Sequence, residues 1–261
     1  MGSIISLNMI IAKRHKYILD KLEEAGYVSV AALSREMDVT MVTVRKDLRI
    51  LEEKGLLFRT HGSATPVSPY VNDKPVTEKR LVQVSQKNAI AKRATDFLHQ
   101  NDVIIIGSGT TVLAFAQSIP KSLSLTVLTA AMNVSMALLD LKETEVVQLG
   151  GVVRKSSSSV VGHFAENMIK DFACSKLFIS VDGIDPEFGL TTSNLLEAHL
   201  NSIMIASAQK TIVLADSSKF GKKSFGKIAN LEDIDTLIVD KKLSAHYVEM
   251  LEEKGVKVIL V

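Results

Sequence analysis

Two stretches hold side chains whose types and spacing suit recognition chemistry. In "TMVTVRKDLRILEEKGLLFRTHGSAT" (40–65), Val44, Leu48 and Leu51 recur at helical spacing, so Val42, Arg45, Lys46 and Arg49 fall on the opposite face with Thr43 nearby. A basic face turned away from its own core suits a duplex groove. Arginine reads guanine through two parallel hydrogen bonds, which makes Arg45 the candidate base reader. Thr43 can bond to a base or a phosphate, and Met41 or Val42 can meet a thymine methyl. Lys46 and Arg49 are placed to hold phosphates, with Thr40 at the helix start. Arg59 and His61, in the apolar run that follows, can reach the backbone or minor groove. The competing reading is an ordinary solvated stripe; the capped helix, the turn before it and the hairpin after it favour the nucleic-acid reading.

The second stretch is "VIIIGSGTTVLAFA" (103–116). Gly107, Ser108, Gly109, Thr110 and Thr111 form a glycine-rich turn that enters a helix and offers a phosphate free N–H groups, hydroxyls and a favourable dipole. A tight structural turn is the alternative. Other strand ends collect Thr129 and Asn133, Gly150 and Gly151, Asp182 and Asp185, then Asp216 and Lys219, and Glu197 lies in a helix between two of those strands. Carboxylates and a lysine around a phosphate-type loop suit a ligand carrying both hydroxyls and an anion, as a phosphorylated sugar does. Each acid taken singly can instead be a surface ion pair or a helix cap. "KSSSSVVG" (155–162) reads as a mobile loop, or as a lid over the ligand.

Other chemistries fit poorly. "GSGTTV" has Val112 where a dinucleotide fingerprint wants Gly or Ala, and "LTAAMN" offers no acid for a ribose hydroxyl. "GKKSFGK" (221–227) has Walker-like spacing, but Ile228 stands where Ser or Thr must bind Mg²⁺. Six scattered histidines and a single cysteine, Cys174, make no zinc pattern and no disulfide framework, and no G-x-S-x-G elbow is present. No cofactor, no metal and no catalytic residue is expected. No run approaches the roughly 18 apolar residues of a membrane span, so a cytoplasmic protein with no membrane partner is expected. "MGSIIS" formally fits a myristoylation pattern; an upstream start or appended residues ahead of Met9 is the preferred reading.

The elements that position these residues follow from patterning. A chain of 261 residues with 46% hydrophobic content has room for two domains. Ten of its 31 basic residues and eight of its 29 acidic ones lie in positions 1–65, so the whole basic excess is N-terminal. Apolar residues recur at helical spacing three times, at Ile11, Ile18 and Leu22, at Val30, Leu33 and Met37, and at Val44, Leu48 and Leu51. Ser29 and Thr40 stand as N-caps, Gly26 and Gly55 as stops. With a turn at Asp38, Val39 and Thr40 and a hairpin near Gly62, the expected architecture is a winged helix-turn-helix over 9–65. "PVSPYVNDKP" resists helix formation and marks a linker over 66–78. Over 79–261, seven β-branched runs alternate with helical patterns: 103–106, 125–128, 145–149, 176–181, 211–215, 236–239 and 257–261. That is the pattern of an α/β domain with a parallel sheet wrapped by helices.

At this point the chain resembles a known family. "VSVAALSREMDVTMVTVRKDLRILEEKGLLFRTHGSA" is similar to the N-terminal signature of DeoR-type transcriptional regulators, with its V-S-x-x-x-L-S opening, T-V-R-[KR]-D-L core and R-x-H-G-G-A ending. Ser63 stands where the family usually has a second glycine, which costs about 1 kcal/mol if that position needs φ > 0. "GSGTT", "LGG", "VDGID-x-x-x-GLT", "LEA" and "ADSSKFG" follow the order of DeoR-type effector domains. Those domains are similar in fold to ribose-5-phosphate isomerase and coenzyme A transferases, and typically sense phosphorylated sugars or related metabolites. Gly107 replaces the family's usual aspartate, and "TAAMN" replaces a shorter T-N. The resemblance, which runs from Met9 to Val261, implies a repressor of a carbohydrate operon that binds double-stranded operator DNA as a homodimer or homotetramer and is relieved by a small-molecule effector. The alternative is a sugar-phosphate isomerase with a DNA-binding appendage, since "DGID" resembles part of the isomerases' D-G-A-D-E motif. Asp182 or Asp185 would then be the base and Lys219 would stabilise charge, although Pro186 replaces the motif's glutamate.

Overall fold

A computed structural model describes residues 11–25, 27–54, 56–60, 62–65 and 74–261. The chain divides into two compact units, Met1–Asn72 and Asp73–Val261.

The first unit contains helices α1 (Ile11–Ala25), α2 (Val30–Glu36) and α3 (Met41–Glu53), a short strand β1 (Val28–Ser29), and a hairpin of β2 (Phe58–Thr60) and β3 (Ser63–Thr65). Ile18, Leu22, Leu33, Met37, Val44, Leu48 and Leu51 meet in one core, closed by Leu57 and Ala64. This is what three helical stripes at 3.6-residue spacing must do to leave water. Ile11 departs from its stripe. It is 54% exposed.

The caps fall at the expected residues. Ser29 Oγ accepts from the Ala32 N–H at 3.1 Å, and Thr40 Oγ1 accepts from the Thr43 N–H at 3.2 Å. The stops expected at Gly26 and Gly55 lie outside the described residues, as does His61. Strand β3 lies between β1 and β2, antiparallel to both, which makes a three-stranded wing. Gly62 takes φ +83°, whereas Ser63 pairs with Ser29 and Thr60 and has no positive φ. The left-handed position of the wing is therefore Gly62, and serine at 63 carries no strain.

In the second unit, α4 (Val76–Lys79) and α5 (Val84–Ala94) precede seven parallel strands: β4 (Asp102–Ile106), β5 (Leu125–Thr129), β6 (Thr144–Gln148), β9 (Lys176–Ile179), β12 (Thr211–Leu214), β14 (Thr236–Val239) and β15 (Lys257–Leu260). Among the described residues they form one sheet in the order β15-β14-β12-β9-β4-β5-β6. Ile104, Ile106, Val127, Phe178 and Ile212 face one buried layer, while Ile105, Leu128, Leu177, Ile179 and Val213 face the other. Both faces are dry, which is why these strands read as continuous apolar runs. The helices α6 (Thr110–Ser118), α7 (Met132–Leu138), α8 (His163–Ile169), α9 (Leu195–Ala206) and α10 (Ala245–Glu253) complete the unit. Cys174 is a buried core residue.

Two smaller sheets lie beside the main one. The hairpin of β7 (Val152–Arg154) and β8 (Ser159–Val161) is antiparallel, and so is the set β10 (Gly183–Asp185), β11 (Gly189–Thr192) and β13 (Gly226–Ala229). The first corrects an expectation. "KSSSSVVG" is the turn and second strand of a hairpin, not a mobile loop. Ser157 and Ser159 are buried with their hydroxyls 2.7 Å apart, and the Val160 N–H donates to the Ala130 carbonyl at 2.8 Å. Residues 74–78, expected as the end of the linker, are built into this unit. Val76 is buried, and its N–H donates to the Ser156 carbonyl at 2.7 Å.

Candidate functional site

On α3, Arg45, Lys46 and Arg49 are exposed, as are Met41 (47%) and Val42 (72%). Two large apolar side chains turned to water beside three cations make a surface suited to a partner. Thr40 and Thr43 point their hydroxyls at each other, 2.9 Å apart, at the start of the helix. Arg49 lies 3.9 Å from Glu53, a weak exposed pair. Arg59, in the wing, is more firmly held. Its N–H donates to Glu52 Oε1 at 2.9 Å, and its guanidinium lies 3.5 Å from Glu52 Oε2, so α3 and the wing are tied to each other.

Asp47 was not among the expected site residues. It is 2% exposed and accepts two hydrogen bonds from Arg14 of α1, at 2.7 and 3.0 Å, with His15 Nε2 at 3.3 Å. The hydrogen bonds to Asp47 raise the Arg14 pKa against the burial that lowers it. The signal was present in the sequence: an acid standing among the apolar positions 44, 48 and 51.

The second unit places its pocket where the sheet order reverses. From β4 the chain runs outward through β5 and β6, then returns to β9 on the other side of β4. The loops leaving β4 and β9 therefore diverge and open a crevice beyond their carboxyl ends. After β4 come Ser108, Gly109, Thr110 and Thr111; after β9 come Ser180, Val181 and Asp182. The Ser180 hydroxyl donates to the Ser108 carbonyl at 2.9 Å, closing the two loops on each other. Gly109 caps α6 with φ +123°, and a Cβ there would lie 2.3 Å from Ser180 Oγ. Only glycine allows this approach, and it leaves the first N–H groups of α6 facing the crevice.

Carboxylates and cations line the walls. Asn194 caps α9 by accepting from the Glu197 N–H at 3.1 Å, which sets Glu197 in the first helical turn. Glu197 is 8% exposed, accepts from Ser108 Oγ at 2.5 Å and is paired with Arg154 at 2.7 Å. Burial pushes its pKa up, opposed by those two partners. Asp182 is paired with Lys79 at 2.7 Å and also accepts from Thr192 Oγ1 and the Ser193 N–H at 3.2 and 3.1 Å. Burial opposes its charge, but Lys79, Lys219 and the hydrogen bonds prevail and hold its pKa at about 2. Lys219 completes the wall, at the end of a short turn whose first N–H groups are held by Asp216 and Asp240. With these pairs in place the pocket keeps about 50 Å³ of free space.

Of the expected ligand residues, the structure brings Ser108, Gly109, Thr110, Thr111, Asp182, Glu197 and Lys219 together. Gly107, Thr129, Asn133, Gly150, Gly151, Asp185 and Asp216 do not line the pocket. Thr129 Oγ1 accepts from the Ala131 N–H at 3.0 Å, shaping the turn against which the β7–β8 hairpin packs. The Asn133 Oδ1 is buried without a hydrogen-bond partner among the described residues. Gly151, at φ +155°, lets β7 approach the Val161 carbonyl, while Gly150 has nothing near its missing side chain. Asp185 holds a turn by accepting from the Glu187 and Phe188 N–H groups, and Asp216 accepts from Ser218 to shape the turn that aims Lys219.

Comparison with known proteins fits both halves. Residues 82–241 match the DeoR C terminal sensor domain, and residues 14–69 match the DeoR-like helix-turn-helix domain. The chain belongs to the DeoR family. It is 34% identical over 251 residues to the HTH-type transcriptional regulator GlpR of Haloferax volcanii, covering 96% of this chain and 98% of that one. It is 37% identical over 257 residues to a putative aga operon transcriptional repressor of Escherichia coli O157:H7, covering 96% and 94%. Among solved structures, ribose 5-phosphate isomerase A of Methanocaldococcus jannaschii aligns over 51% of this chain and 53% of its own, with a TM-score of 0.39 and 18% identity. This DeoR-family chain is a DNA-binding transcriptional regulator with a sensor domain. No helix among its described residues is long and apolar enough to cross a membrane.

Pocket residues of this DeoR-family protein that sequence reasoning missed are Val76, Lys79, Arg154, Ser180, Val181 and Thr192, while Ser156 and Ser157 belong to the segment read there as a mobile loop or a lid. Lys79 and Arg154 lie in short elements with no pattern of their own. They reach the crevice only through pairing partners distant in the chain.

Proposed function

We propose that this protein represses a carbohydrate-utilisation operon as a homo-oligomer and releases its operator when a phosphorylated sugar occupies the pocket of the second unit. The observation that carries the reading is the composition of that pocket. A helix N-terminus freed by Gly109 lines it together with Lys79, Arg154 and Lys219, the first two paired with Asp182 and Glu197. The α6 N-terminus and the cations suit a phosphate, and the two carboxylates suit sugar hydroxyls as donors. The name of the aga operon relative agrees with repression of an operon. Release requires the sugar phosphate to bind the arrangement that does not hold DNA better than the one that does, since equal affinity shifts nothing.

On the DNA side, Arg45 reads bases, assisted by Thr43, Met41 and Val42. Lys46, Arg49 and Thr40 hold phosphates, and Arg59 and His61 contact the backbone or minor groove. Two copies place their α3 helices in successive major-groove turns about 34 Å apart. The test is a mobility shift with the region upstream of the protein's own operon and with random DNA, with and without a panel of sugar phosphates. Arg45→Ala is expected to lose about 1–3 kcal/mol on the operator alone; Lys46→Ala is expected to weaken both DNAs and flatten the salt slope by about one unit. Equal losses on both DNAs for both variants, or no release by any sugar phosphate, would overturn the reading.

A further inference from the structure

The segment from Pro75 to Gln83 follows the boundary at Asn72 and Asp73, and it is strapped to the pocket. Pro75 fixes one end. Gln83, a non-glycine residue at φ +55°, makes a left-handed corner at the other, a conformation that persists only where surroundings enforce it. Between them, Val76 and Lys79 line the pocket. The Val76 N–H donates to the Ser156 carbonyl at 2.7 Å, and Lys79 Nζ donates to Asp182 Oδ1 at 2.7 Å. From beneath, the buried Lys87 ammonium donates to the carbonyls of Lys79 and Val82, each at 2.6 Å. The strap thus rests on the hairpin, on the loop after β9 and on α5. Its one charged side chain in the pocket is Lys79.

The pocket is also too narrow as it stands. Its free space of about 50 Å³ is far below the roughly 300 Å³ at which small-molecule sites begin. Two ion pairs, Lys79 with Asp182 and Arg154 with Glu197, stand among its lining side chains. Parting one of them would widen the pocket toward the size of a phosphorylated sugar. The Lys79 pair is the more accessible, at 27% and 20% side-chain exposure against 11% and 10%.

We propose that Lys79 is a ligand-binding and coupling residue: a phosphate in the pocket takes its ammonium from Asp182, and the strap moves with it. This rests on the sugar-phosphate reading given above. The exchange conserves ion pairs, because the ammonium passes from carboxylate to phosphate while Asp182 turns to accept sugar hydroxyls, so its cost is small. Its consequence is mechanical. Moving Lys79 shifts the carbonyl held by Lys87 and the N–H of Val76 held by Ser156, and the chain leading back to the DNA-binding unit leaves from this strap. An event in the pocket is in this way converted into a change at the junction.

The experiment uses the full chain, its upstream DNA and four probes: ribose 5-phosphate, fructose 1-phosphate, fructose 6-phosphate and N-acetylglucosamine 6-phosphate, with inorganic phosphate as control. Each probe is used at a concentration that saturates the thermal shift of the protein variant. For the wild type, the protein concentration that half-saturates DNA is expected to rise about 5- to 150-fold with the effective probe. Lys79→Met should still show a thermal shift with that probe but a rise in half-saturation below about 2-fold, and Lys79→Arg should recover most of the rise. A merely structural lysine would lower stability and leave this ratio unchanged. A folded Lys79→Met with the wild-type ratio overturns the proposal, and so does one whose thermal shift disappears altogether. Should Lys79→Met not fold, Lys79→Gln is measured in its place, with the same two readouts and the same outcomes. A wild type whose stability and DNA affinity respond to none of the four probes overturns the sugar-phosphate reading itself, and this proposal with it.

Discussion

At Asp182, burial and electrostatics compete over one proton. Burial favours the neutral acid, while the Lys79 and Lys219 ammoniums and the Ser193 N–H favour the carboxylate and win, holding the pKa at about 2 against an ordinary 3.8. A carboxylate depressed in the fold stabilises it fully above its unfolded pKa, and that contribution is lost as pH falls through the folded value. Asp182→Asn is therefore expected to cost about 2 kcal/mol at pH 7. The deficit should shrink steadily between pH 4 and pH 2. Urea denaturation of both proteins across that range measures it, and a deficit independent of pH would mean that Lys79 and Lys219 do not act on this group. Asp182 itself was legible in the sequence as an acid at a strand end. Its partner Lys79 was not, because 103 positions separate them and only the fold brings them together.

Among the elements, α3 depends on α1 for its orientation. The Val44, Leu48 and Leu51 stripe fixes which face of α3 is buried, but a stripe of aliphatic side chains tolerates rotation and sliding. The Arg14 fork on Asp47 does not, since two parallel bonds at 2.7 and 3.0 Å define both distance and angle. Asp47→Asn keeps the shape and removes the charge. It should destabilise the first unit by about 3 kcal/mol, the cost of removing one charge from a buried ion pair. Calorimetry of the full chain should show the loss in the first unit's transition alone; an unchanged transition would reduce Asp47 to an incidental contact. Helix stripes, caps and parallel strands were readable because each follows from a local period. The β7–β8 hairpin was not, because four consecutive serines look like a solvated linker until Ser157 and Ser159 are seen buried beside the chain from Ala130 to Met132.

At the scale of the whole chain, the separate cores of the two units imply separate cooperative transitions. A sugar phosphate at about 100 times its dissociation constant is expected to stabilise the second unit by roughly 2.7 kcal/mol, and operator DNA to stabilise the first. Differential scanning calorimetry with each ligand separates the two effects. One transition displaced as a whole by either ligand would mean that the units fold as a single body.

Local periodicity was enough to determine the trihelical head with its wing, the outward basic face of α3 and the seven strands of a sheet buried on both sides, because each depends on neighbours three or four residues away, or two along a strand. The tertiary structure alone decided which strand ends converge, since strand order is set by packing of whole layers and leaves no mark on any one segment. It separated Asp182 and Glu197, which face the pocket, from Asp185 and Asp216, which hold turns. It also brought Lys79 and Arg154 to those acids, an arrangement that exists only once the chain between them has folded.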